Sequence, residues 1–261
     1  MSSHPRVAAV DLDDTLIASM EDFSTAIDEF VRFVQSEASG SVSAEAVRER
    51  QREIDYALTD VYGLELGRFP RSFELALEDF ISEPSREQYA EVRRLGRLAY
   101  KEEEEYAERG FLPGAEELLD ELEAETDELW LITSGDNRLQ ERKICALDLG
   151  ERFDTILIPT YSDGKAWALN RCREVTGASS EEIVHIGNSV SSDIEAAIEA
   201  GVDSVHVNGG VEWLDGKDDE ELAASALDAD VTVYVFDDVV DVIPHVSRVF
   251  EPGESGVVSL V

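Results

Sequence analysis

Short apolar runs alternate with amphipathic stretches along much of the chain. The first run, residues 6–10 (RVAAV), stops abruptly at DLDDTL, the pattern of a buried strand that delivers carboxylates at its C-terminal end. Further apolar runs, separated by helical patterns, lie at residues 128–133, 155–159, 183–187, 204–207 and 231–236. Strands that alternate with helices favour right-handed βαβ units and a parallel sheet covered on both faces. The pattern therefore predicts an α/β fold.

A long helical stretch interrupts this alternation just after the first strand. Apolar residues recur there at three- and four-residue steps, beginning with Phe23 and Ile27, as on the buried face of a helix. We predict that residues 18–109 form an inserted all-helical domain. Residues 1–17 and 110–261 are then expected to form the α/β core.

The chain is strongly acidic. Its 261 residues include 22 Lys and Arg against 59 Asp and Glu, a formal net charge of −37. Such a surface repels polyanions, which argues against nucleic-acid binding through phosphate contacts and against docking on an anionic membrane. An acid-rich, Lys-poor composition resembles that of proteins from salt-accumulating halophiles, in which ions screen the self-repulsion. Because 43% of the residues are hydrophobic, we predict a globular chain, with the acidic segment 212–230 as a connection.

Neither the cysteines nor the N-terminus indicates export or membrane insertion. Cys145 and Cys172 lack the spacing of a metal site or of a disulfide framework, which fits a reducing compartment. The N-terminus has no basic region followed by a long apolar run, and no stretch reaches the ~18 apolar residues of a membrane span. We expect a cytoplasmic protein, monomeric or homodimeric, with no nucleic-acid or membrane partner.

Polar side chains of matching chemistry follow the predicted strands. In an open parallel sheet, ligands bind at the carboxyl ends of the strands, where amides and helix N-termini converge. Hard oxygen ligands suit Mg²⁺, and hydroxyl, amide and ammonium donors suit a phosphate. The sequence therefore predicts a Mg²⁺ and phosphate site. The residues that form it are Asp11, Asp13, Asp14 and Thr15 after the first strand, Thr133 and Ser134 after the second, Lys165 at the start of a helix, and Asn188, Ser189 and Asp193 after strand 183–187.

Four segments, in order, resemble the motifs of the haloacid dehalogenase (HAD) superfamily. They are DLDDTL (11–16), LITSGD (131–136), Lys165 in DGKAWAL, and HIGNSVSSDIEAAIEAG (185–201). The helical insert is similar to the helical kind of cap domain in that superfamily, and TSGDNRLQERKI and GNSVSSDI resemble an uncharacterised hydrolase subgroup. The resemblance implies a Rossmann-like parallel sheet core with an inserted all-helical cap. It also implies Mg²⁺-dependent hydrolysis of a small phosphorylated metabolite, a phosphomonoester, through an aspartyl-phosphate.

The resemblance further implies a role for each matching residue. Asp11 is expected to be the nucleophile, and Asp13 to give a proton to the leaving alcohol and take one from water. Thr133 and Lys165 complete the expected catalytic set. Substrate binding is expected from Thr133, Ser134, Gly135 and Lys165. Candidates for binding a further anionic part of the substrate are the cap residues Arg68, Arg71, Arg93, Arg94 and Arg97.

The fourth segment departs from the usual pattern at one position. Asn188 stands where an acid is common, so the expected Mg²⁺ ligands, Asp11, Asp13, Asn188 and Asp193, carry one negative charge fewer. Three alternatives therefore stay open. They are a metal-independent 2-haloacid dehalogenase, favoured by Asn188 and opposed by Asp13, a phosphomutase, and a catalytically weakened phosphate-binding protein of the same fold.

Overall fold

The computed structural model describes residues 5–208, 216–251 and 253–259. Within these ranges, seven strands form one parallel sheet in the order β3-β2-β1-β4-β5-β6-β7. The strands are β1 (Val7–Val10), β2 (Glu128–Ile132), β3 (Thr155–Leu157), β4 (Ile183–Gly187), β5 (Asp203–Val207), β6 (Thr232–Phe236) and β7 (Gly256–Ser259). The α/β class and the Rossmann-like parallel sheet are thus confirmed.

Strand β1 lies inside the sheet, between β2 and β4, and is buried on both faces. Ala8 and Val10 pack into the hydrophobic cluster on one face, whereas Val7 and Ala9 pack into the cluster on the other. Because successive side chains of a strand point to opposite faces, an unbroken apolar run suits such a position. This explains why the segment RVAAV lacks the alternation of a half-exposed strand.

Helices cover both faces of the sheet and form the insert. In the parts of the chain that the structure describes, none of them is both long and apolar enough to cross a bilayer. They are α1 (Met20–Glu37), α2 (Ala44–Tyr62), α3 (Arg68–Phe80), α4 (Arg86–Gly96), α5 (Glu103–Arg109), α6 (Ala115–Glu125), α7 (Asn137–Ala146), α8 (Gly164–Thr176), α9 (Glu195–Ala200), α10 (Asp219–Ala229), α11 (Val239–Val242) and α12 (Val246–Val249).

Helices α1 to α4 lie between β1 and β2 and form the helical cap expected from the sequence, while α5, also within the predicted insert, packs against α7 and buries Tyr106 in the core cluster. Residues of α1 to α4 pack into a hydrophobic cluster of their own, in which the rings of Phe30 and Phe73 stack with centroids 4.4 Å apart. The fold is therefore a parallel sheet core with an inserted all-helical cap. The boundaries placed at residues 18 and 109 stay a prediction.

The two connections between cap and core run side by side. The guanidinium of Arg109 donates two hydrogen bonds to the carboxylate of Asp22, at 2.8 and 2.9 Å, and one to the Ala18 carbonyl oxygen. Just beyond it, the Leu112 amide donates to the Leu16 carbonyl oxygen. A bidentate guanidinium–carboxylate pair fixes orientation as well as distance. It therefore holds the first turn of α1 against the end of α5.

Several elements near the C-terminus differ from the sequence prediction, including helices α11 and α12, which were not predicted. The segment 212–230, expected as a connection, contains helix α10, although its residues 212–215 lie outside the described part of the chain. The carboxylate of Asp218 accepts hydrogen bonds from the amides at the start of α10 and so caps it. Strand β7 was not predicted, because an edge strand of four residues, GVVS, carries too few apolar positions to stand out.

Candidate active site

The predicted site residues meet at the carboxyl edge of three neighbouring strands. Asp11 follows β1, Thr133 follows β2 and Asn188 follows β4, while Lys165 lies in the first turn of α8. Asp11, Lys165 and Asn188 line a cleft of about 840 Å³ between this edge and the cap, and Thr133 lies fully buried just beneath it. The structure thus brings together residues from all four of the segments that carried the sequence prediction.

Lys165 joins two carboxylates at the floor of the cleft. Its Nζ donates to Oδ1 of Asp11 at 2.5 Å and also to Oδ1 of Asp193, and all three side chains are buried. A π-helical turn, Val190–Ile194, carries Asp193 back under the end of β4, where its Oδ2 accepts from the Ser189 amide at 3.0 Å. Such wide turns are frequent at functional sites, and this one sets the position of a buried charge.

Two residues of β4 shape the place that Asp193 occupies. A Cβ added to Gly187 would lie 2.3 Å from Cγ of Asp193, so only glycine allows this approach. Nε2 of His185 lies 2.9 Å from Oδ1 of Asp193, and Nδ1 lies 3.0 Å from the Ala9 carbonyl oxygen. The sequence prediction did not include His185, because its place within an apolar strand gives no sign of a carboxylate partner.

Burial and charge shift the pKa values of these groups in different directions. Burial raises the pKa of Asp11 to about 7, with further contributions from Asp193 and Asp13, although Lys165 opposes the shift. Burial also disfavours the charged forms of Lys165 and Asp193, but the effect of their charged partners is larger. The two carboxylates raise the pKa of Lys165 above its usual range, and Lys165 with His185 holds the pKa of Asp193 well below its own. Further positive charge beside Asp11 would therefore favour its ionised form.

Asp13 stands at the side of the cleft with 25% of its side chain exposed. Its Oδ1 accepts from Nζ of Lys143 at 2.5 Å, and its Oδ2 accepts from Nε2 of Gln140 at 2.9 Å. Gln140 Nε2 also donates to Oγ1 of Thr133 at 2.6 Å. We call Gln140 and Lys143 the α7 polar pair. Each is only 1% exposed, and their three-residue spacing puts both on one face of the helix.

Sequence reasoning missed the α7 polar pair. A helix with a Gln and a Lys three residues apart is an ordinary solvent-exposed pattern. Two signs pointed to another role: the pair follows the segment LITSGD directly, and it lies within TSGDNRLQERKI, which resembles a hydrolase subgroup.

Asp14 and Thr15 complete the loop after β1, and the side chains of both form hydrogen bonds with neighbouring protein groups. Asp14 adopts a left-handed backbone conformation, φ +58°, and its carboxylate accepts from the amides of Ser19 and Met20 at the start of α1. Thr15 donates from Oγ1 to Oδ1 of Asn188 at 3.3 Å. Asp14 therefore organises the start of the cap, and Thr15 orients the amide of Asn188.

The rim of the cleft carries oxygen donors of the kind that Mg²⁺ prefers. Among the described residues, no three His, Cys, Asp or Glu side chains are grouped so as to hold a metal ion. Asp11 and Asn188 bring side-chain oxygens to the cleft, and Asp13 belongs to the same loop. Both side-chain oxygens of Asp193 are instead bonded to protein groups. Mg²⁺ keeps several waters and needs only one or two protein carboxylates besides a substrate phosphate, so the rim donors fit it.

The cap supplies the opposite wall of the cleft. Two hydrogen bonds join cap and core there: the Leu66 amide donates to Oδ2 of Asp136 at 3.2 Å, and Thr59 Oγ1 donates to the Tyr161 hydroxyl at 3.2 Å. The wall is mostly apolar. Its lining side chains are Met20, Phe23, Leu64, Arg68 and Tyr100.

The arginines proposed for a second anionic group are mostly engaged elsewhere. In the described part of the chain, Arg68 is the one among them that lines the cleft, and its Nη1 pairs with the carboxylate of Asp55 at 2.5 Å. Arg71 and Arg93 both form ion pairs with Glu74 inside the cap. Ion pairs within and between the cap helices therefore engage most of this group, including Arg94 with Glu91.

Comparison with known families gives a match over most of the chain. Residues 5–201 match the family described as haloacid dehalogenase-like hydrolase, and residues 163–242 match a second family, HAD-hydrolase-like. No curated protein matches the chain by sequence.

Solved structures share the fold at low sequence identity. A haloacid dehalogenase-like family hydrolase from Xanthomonas campestris has a TM-score of 0.71 at 19% identity, covering 95% of this chain and 97% of its own. A predicted phosphoglycolate phosphatase from Haemophilus somnus has a TM-score of 0.58 at 19% identity, covering 94% and 99%. A 2-haloacid dehalogenase from Pseudomonas syringae has a TM-score of 0.51 at 20% identity, covering 94% and 99%. At this identity the likeness concerns the fold.

Proposed function

The chain belongs to the haloacid dehalogenase-like hydrolase family, and we propose that it hydrolyses a small phosphate monoester, with Mg²⁺ and an aspartyl-phosphate on Asp11. The observation that carries this proposal is the carboxylate of Asp13 at the cleft, two residues after Asp11. Departure of an alcohol from phosphorus needs a proton, whereas departure of a halide from carbon does not. A positioned carboxyl group beside the nucleophile is therefore expected in a phosphatase.

In the first step, Asp11 attacks phosphorus. Because Oδ1 of Asp11 is held by Lys165, Oδ2 is the oxygen available to form the new bond. The bond from phosphorus to the alcohol oxygen breaks, and Asp13 gives its proton to that oxygen. The ammonium group of Lys165 reduces the repulsion between the Asp11 carboxylate and the incoming phosphate, which at 4 Å is worth about 4 kcal/mol per charge pair at an effective dielectric near 20.

In the second step, water cleaves the aspartyl-phosphate. The ionised Asp13 takes a proton from water, the new oxygen bonds to phosphorus, and the bond to Asp11 breaks. Asp13 is again protonated and Asp11 is again a carboxylate, so the cycle closes. Thr133 and the amides of Ser134 and Gly135 are proposed to hold the phosphoryl oxygens through both steps.

We propose that Asp11, Asn188 and the main-chain carbonyl of Asp13 hold Mg²⁺. When bound, this ion supplies positive charge beside Asp11 and the phosphate. Asp193, the fourth residue in the predicted set, is proposed to contribute through Lys165 or through water on the metal, because both its oxygens are bonded within the protein. The cap is proposed to close over the cleft, exclude water and select the leaving group. We also propose that the protein works in a cytoplasm of high salt concentration, as the acid-rich composition predicts.

The test is phosphate release from p-nitrophenyl phosphate in molar KCl, with Mg²⁺ added back after chelation. We expect activity only with Mg²⁺, and we expect Asp11→Asn to lower it at least about 1,000-fold. Asp163→Asn is the matched control, because Asp163 lines the same cleft and its side chain bonds only to Thr160 among the hydrogen bonds described. An Asp11→Asn protein as active as the parent would contradict the proposal.

The second candidate function is dehalogenation of a 2-haloacid, favoured by Asn188. An amide at this position lowers the negative charge that would hold a divalent cation. Chloride release from a 2-haloacid without any metal, in the absence of phosphatase activity, would favour this candidate. A protein that does neither and binds no Mg²⁺ at tens of millimolar would instead be the weakened phosphate-binding form.

A further inference from the structure

We propose that the α7 polar pair, Gln140 and Lys143, consists of positioning residues that aim the Asp13 carboxylate at the leaving-group oxygen and tie it to the base of the cap. This inference rests on the proposed function, because it assigns these residues to the proton transfer performed by Asp13. Neither residue belongs to the four segments from which the site was predicted.

The pair holds both oxygens of one carboxylate from the same helix. Lys143 donates to Oδ1 of Asp13 at 2.5 Å, and Gln140 donates to Oδ2 at 2.9 Å. Two donors on two oxygens fix the plane of the carboxyl group, not only its distance. Each carboxylate oxygen accepts about two hydrogen bonds, so Oδ2 retains the capacity to carry or receive the transferred proton.

Gln140 also connects Asp13 to the residue proposed to bind the phosphoryl group. Its Nε2 donates to Oγ1 of Thr133 at 2.6 Å, which leaves the Thr133 hydroxyl hydrogen to donate elsewhere. The approach depends on Gly135, because a Cβ there would lie 2.9 Å from Cδ of Gln140. The side-chain amide of Gln140 therefore fixes the position of the Asp13 carboxylate relative to the Thr133 hydroxyl.

Lys143 joins Asp13 to both connections between cap and core. Its Nζ donates to Oγ of Ser19, directly before α1, at 3.2 Å. The same Nζ lies 5.7 Å from the ring centroid of Tyr106 in α5, a cation–π contact. A movement of either connection between cap and core would therefore shift Lys143, and through it the carboxylate of Asp13.

The burial of Lys143 is itself costly. Removing an ammonium group from water is unfavourable unless a partner compensates it, and an apolar residue of similar volume would often fill the same space as well or better. A lysine that is 1% exposed and paired with Asp13 is therefore better explained by the positioning of that carboxylate than by stability.

The test compares two substrates that differ in their need for a proton. An alkyl phosphate has a poor leaving group that departs with a proton, whereas p-nitrophenolate departs without one. Because kcat/KM covers the steps up to formation of the aspartyl-phosphate, it isolates proton donation from the later attack of water. We expect Lys143→Met to lower kcat/KM about 30-fold for the alkyl phosphate and less than about threefold for p-nitrophenyl phosphate, since general acid catalysis is worth about 100-fold or more.

Gln140→Met is the second variant. It should also lower kcat/KM more for the alkyl phosphate than for p-nitrophenyl phosphate, but by a smaller factor than Lys143→Met. Lys101→Met is the matched control, because Lys101 also pairs with a carboxylate at the base of the cap, that of Asp22, but makes no described contact with Asp13. Its ratio between the two substrates should equal that of the parent. Equal losses for both substrates in Lys143→Met and Gln140→Met would overturn the positioning role. A parent that releases phosphate from neither ester would instead overturn the proposed function.

Discussion

At the scale of single residues, the hydrogen bonds of Asp193 predict a structural as well as a functional role. The carboxylate accepts from Lys165 and from the Ser189 amide, and it faces His185, while none of its surface is exposed. Its replacement by Asn removes one charge of a buried pair and leaves Lys165 with Asp11 alone. Breaking such a pair typically costs about 3 kcal/mol or more.

We therefore expect Asp193→Asn to lower the free energy of unfolding by about 3 kcal/mol, measured by denaturant unfolding in high salt. Asp163→Asn changes the net charge by the same amount on an exposed residue, and it should stay within about 0.5 kcal/mol of the parent. Similar losses in the two variants would show that overall charge, rather than the buried network, controls the effect.

Site residues were predictable where the neighbouring sequence indicated their position, and were missed where it did not. Asp11 and Asn188 directly follow apolar strands, and any parallel sheet brings such strand ends to one edge. Lys143 gave no such signal, because its partner Asp13 lies 130 residues earlier in the chain. Its burial depends on where α7 packs against that loop, which periodicity does not determine. His185 gave no signal for a different reason: its partner Asp193 lies only eight residues later, but an apolar strand does not indicate that its histidine has a carboxylate partner.

At the scale of elements, the strands and the insert were predictable, and the ends of the chain less so. The run at β1 is wholly apolar and that at β4 is apolar except for His185, because both faces of the central sheet are covered. Helix α10 was taken as a connection because its acidic, alanine-rich sequence has only two large apolar residues, Leu222 and Leu227, and the buried residues of the helix are Leu222 and Ala226. Helix α10 packs against β7, which was also not predicted, and the local sequence pattern of α10 gives no indication of these contacts.

The walls of the cleft predict the charge of the leaving group. The cap contributes mostly apolar and aromatic side chains. Among the residues that the structure describes, the cationic ones that line the cleft are Arg68, Lys143 and Lys165, and each is paired with a carboxylate of the protein. Carboxylates such as Glu195 and Glu199 also line it. A second anionic group on the substrate would therefore meet like charge.

We expect kcat/KM for phenyl phosphate to exceed that for 4-carboxyphenyl phosphate at least about tenfold, which corresponds to about 1.4 kcal/mol. A Glu195→Gln, Glu199→Gln double variant should narrow the gap by improving the carboxylated substrate. The same double variant should leave phenyl phosphate almost unchanged. A parent that prefers the carboxylated ester would contradict the prediction.

At the scale of the whole molecule, lysine is scarce, and half of the lysines lie at the candidate site. The chain has four lysines, and two of them, Lys143 and Lys165, are buried at the candidate site, each against a carboxylate. In a protein of net charge −37, a phosphate approaches against a repulsive field. The local cations, together with a divalent ion, offset that field where the reaction is proposed to occur.

The same net charge predicts a strong dependence of stability on salt. Raising KCl from 0.1 M to 1 M shortens the Debye length from about 10 Å to about 3 Å, which screens repulsion among the exposed acids more than it weakens the buried pairs at Asp11 and Asp13. We expect the Tm to rise by about 10 °C or more between 0.1 and 2 M KCl, with most of the rise in the first molar, measured by thermal unfolding. Sucrose at equal osmolality is the control, because it favours compact states without screening charge. If sucrose matched KCl, or if the Tm stayed flat in salt, self-repulsion would not be the main cost that this acidic surface imposes on folding.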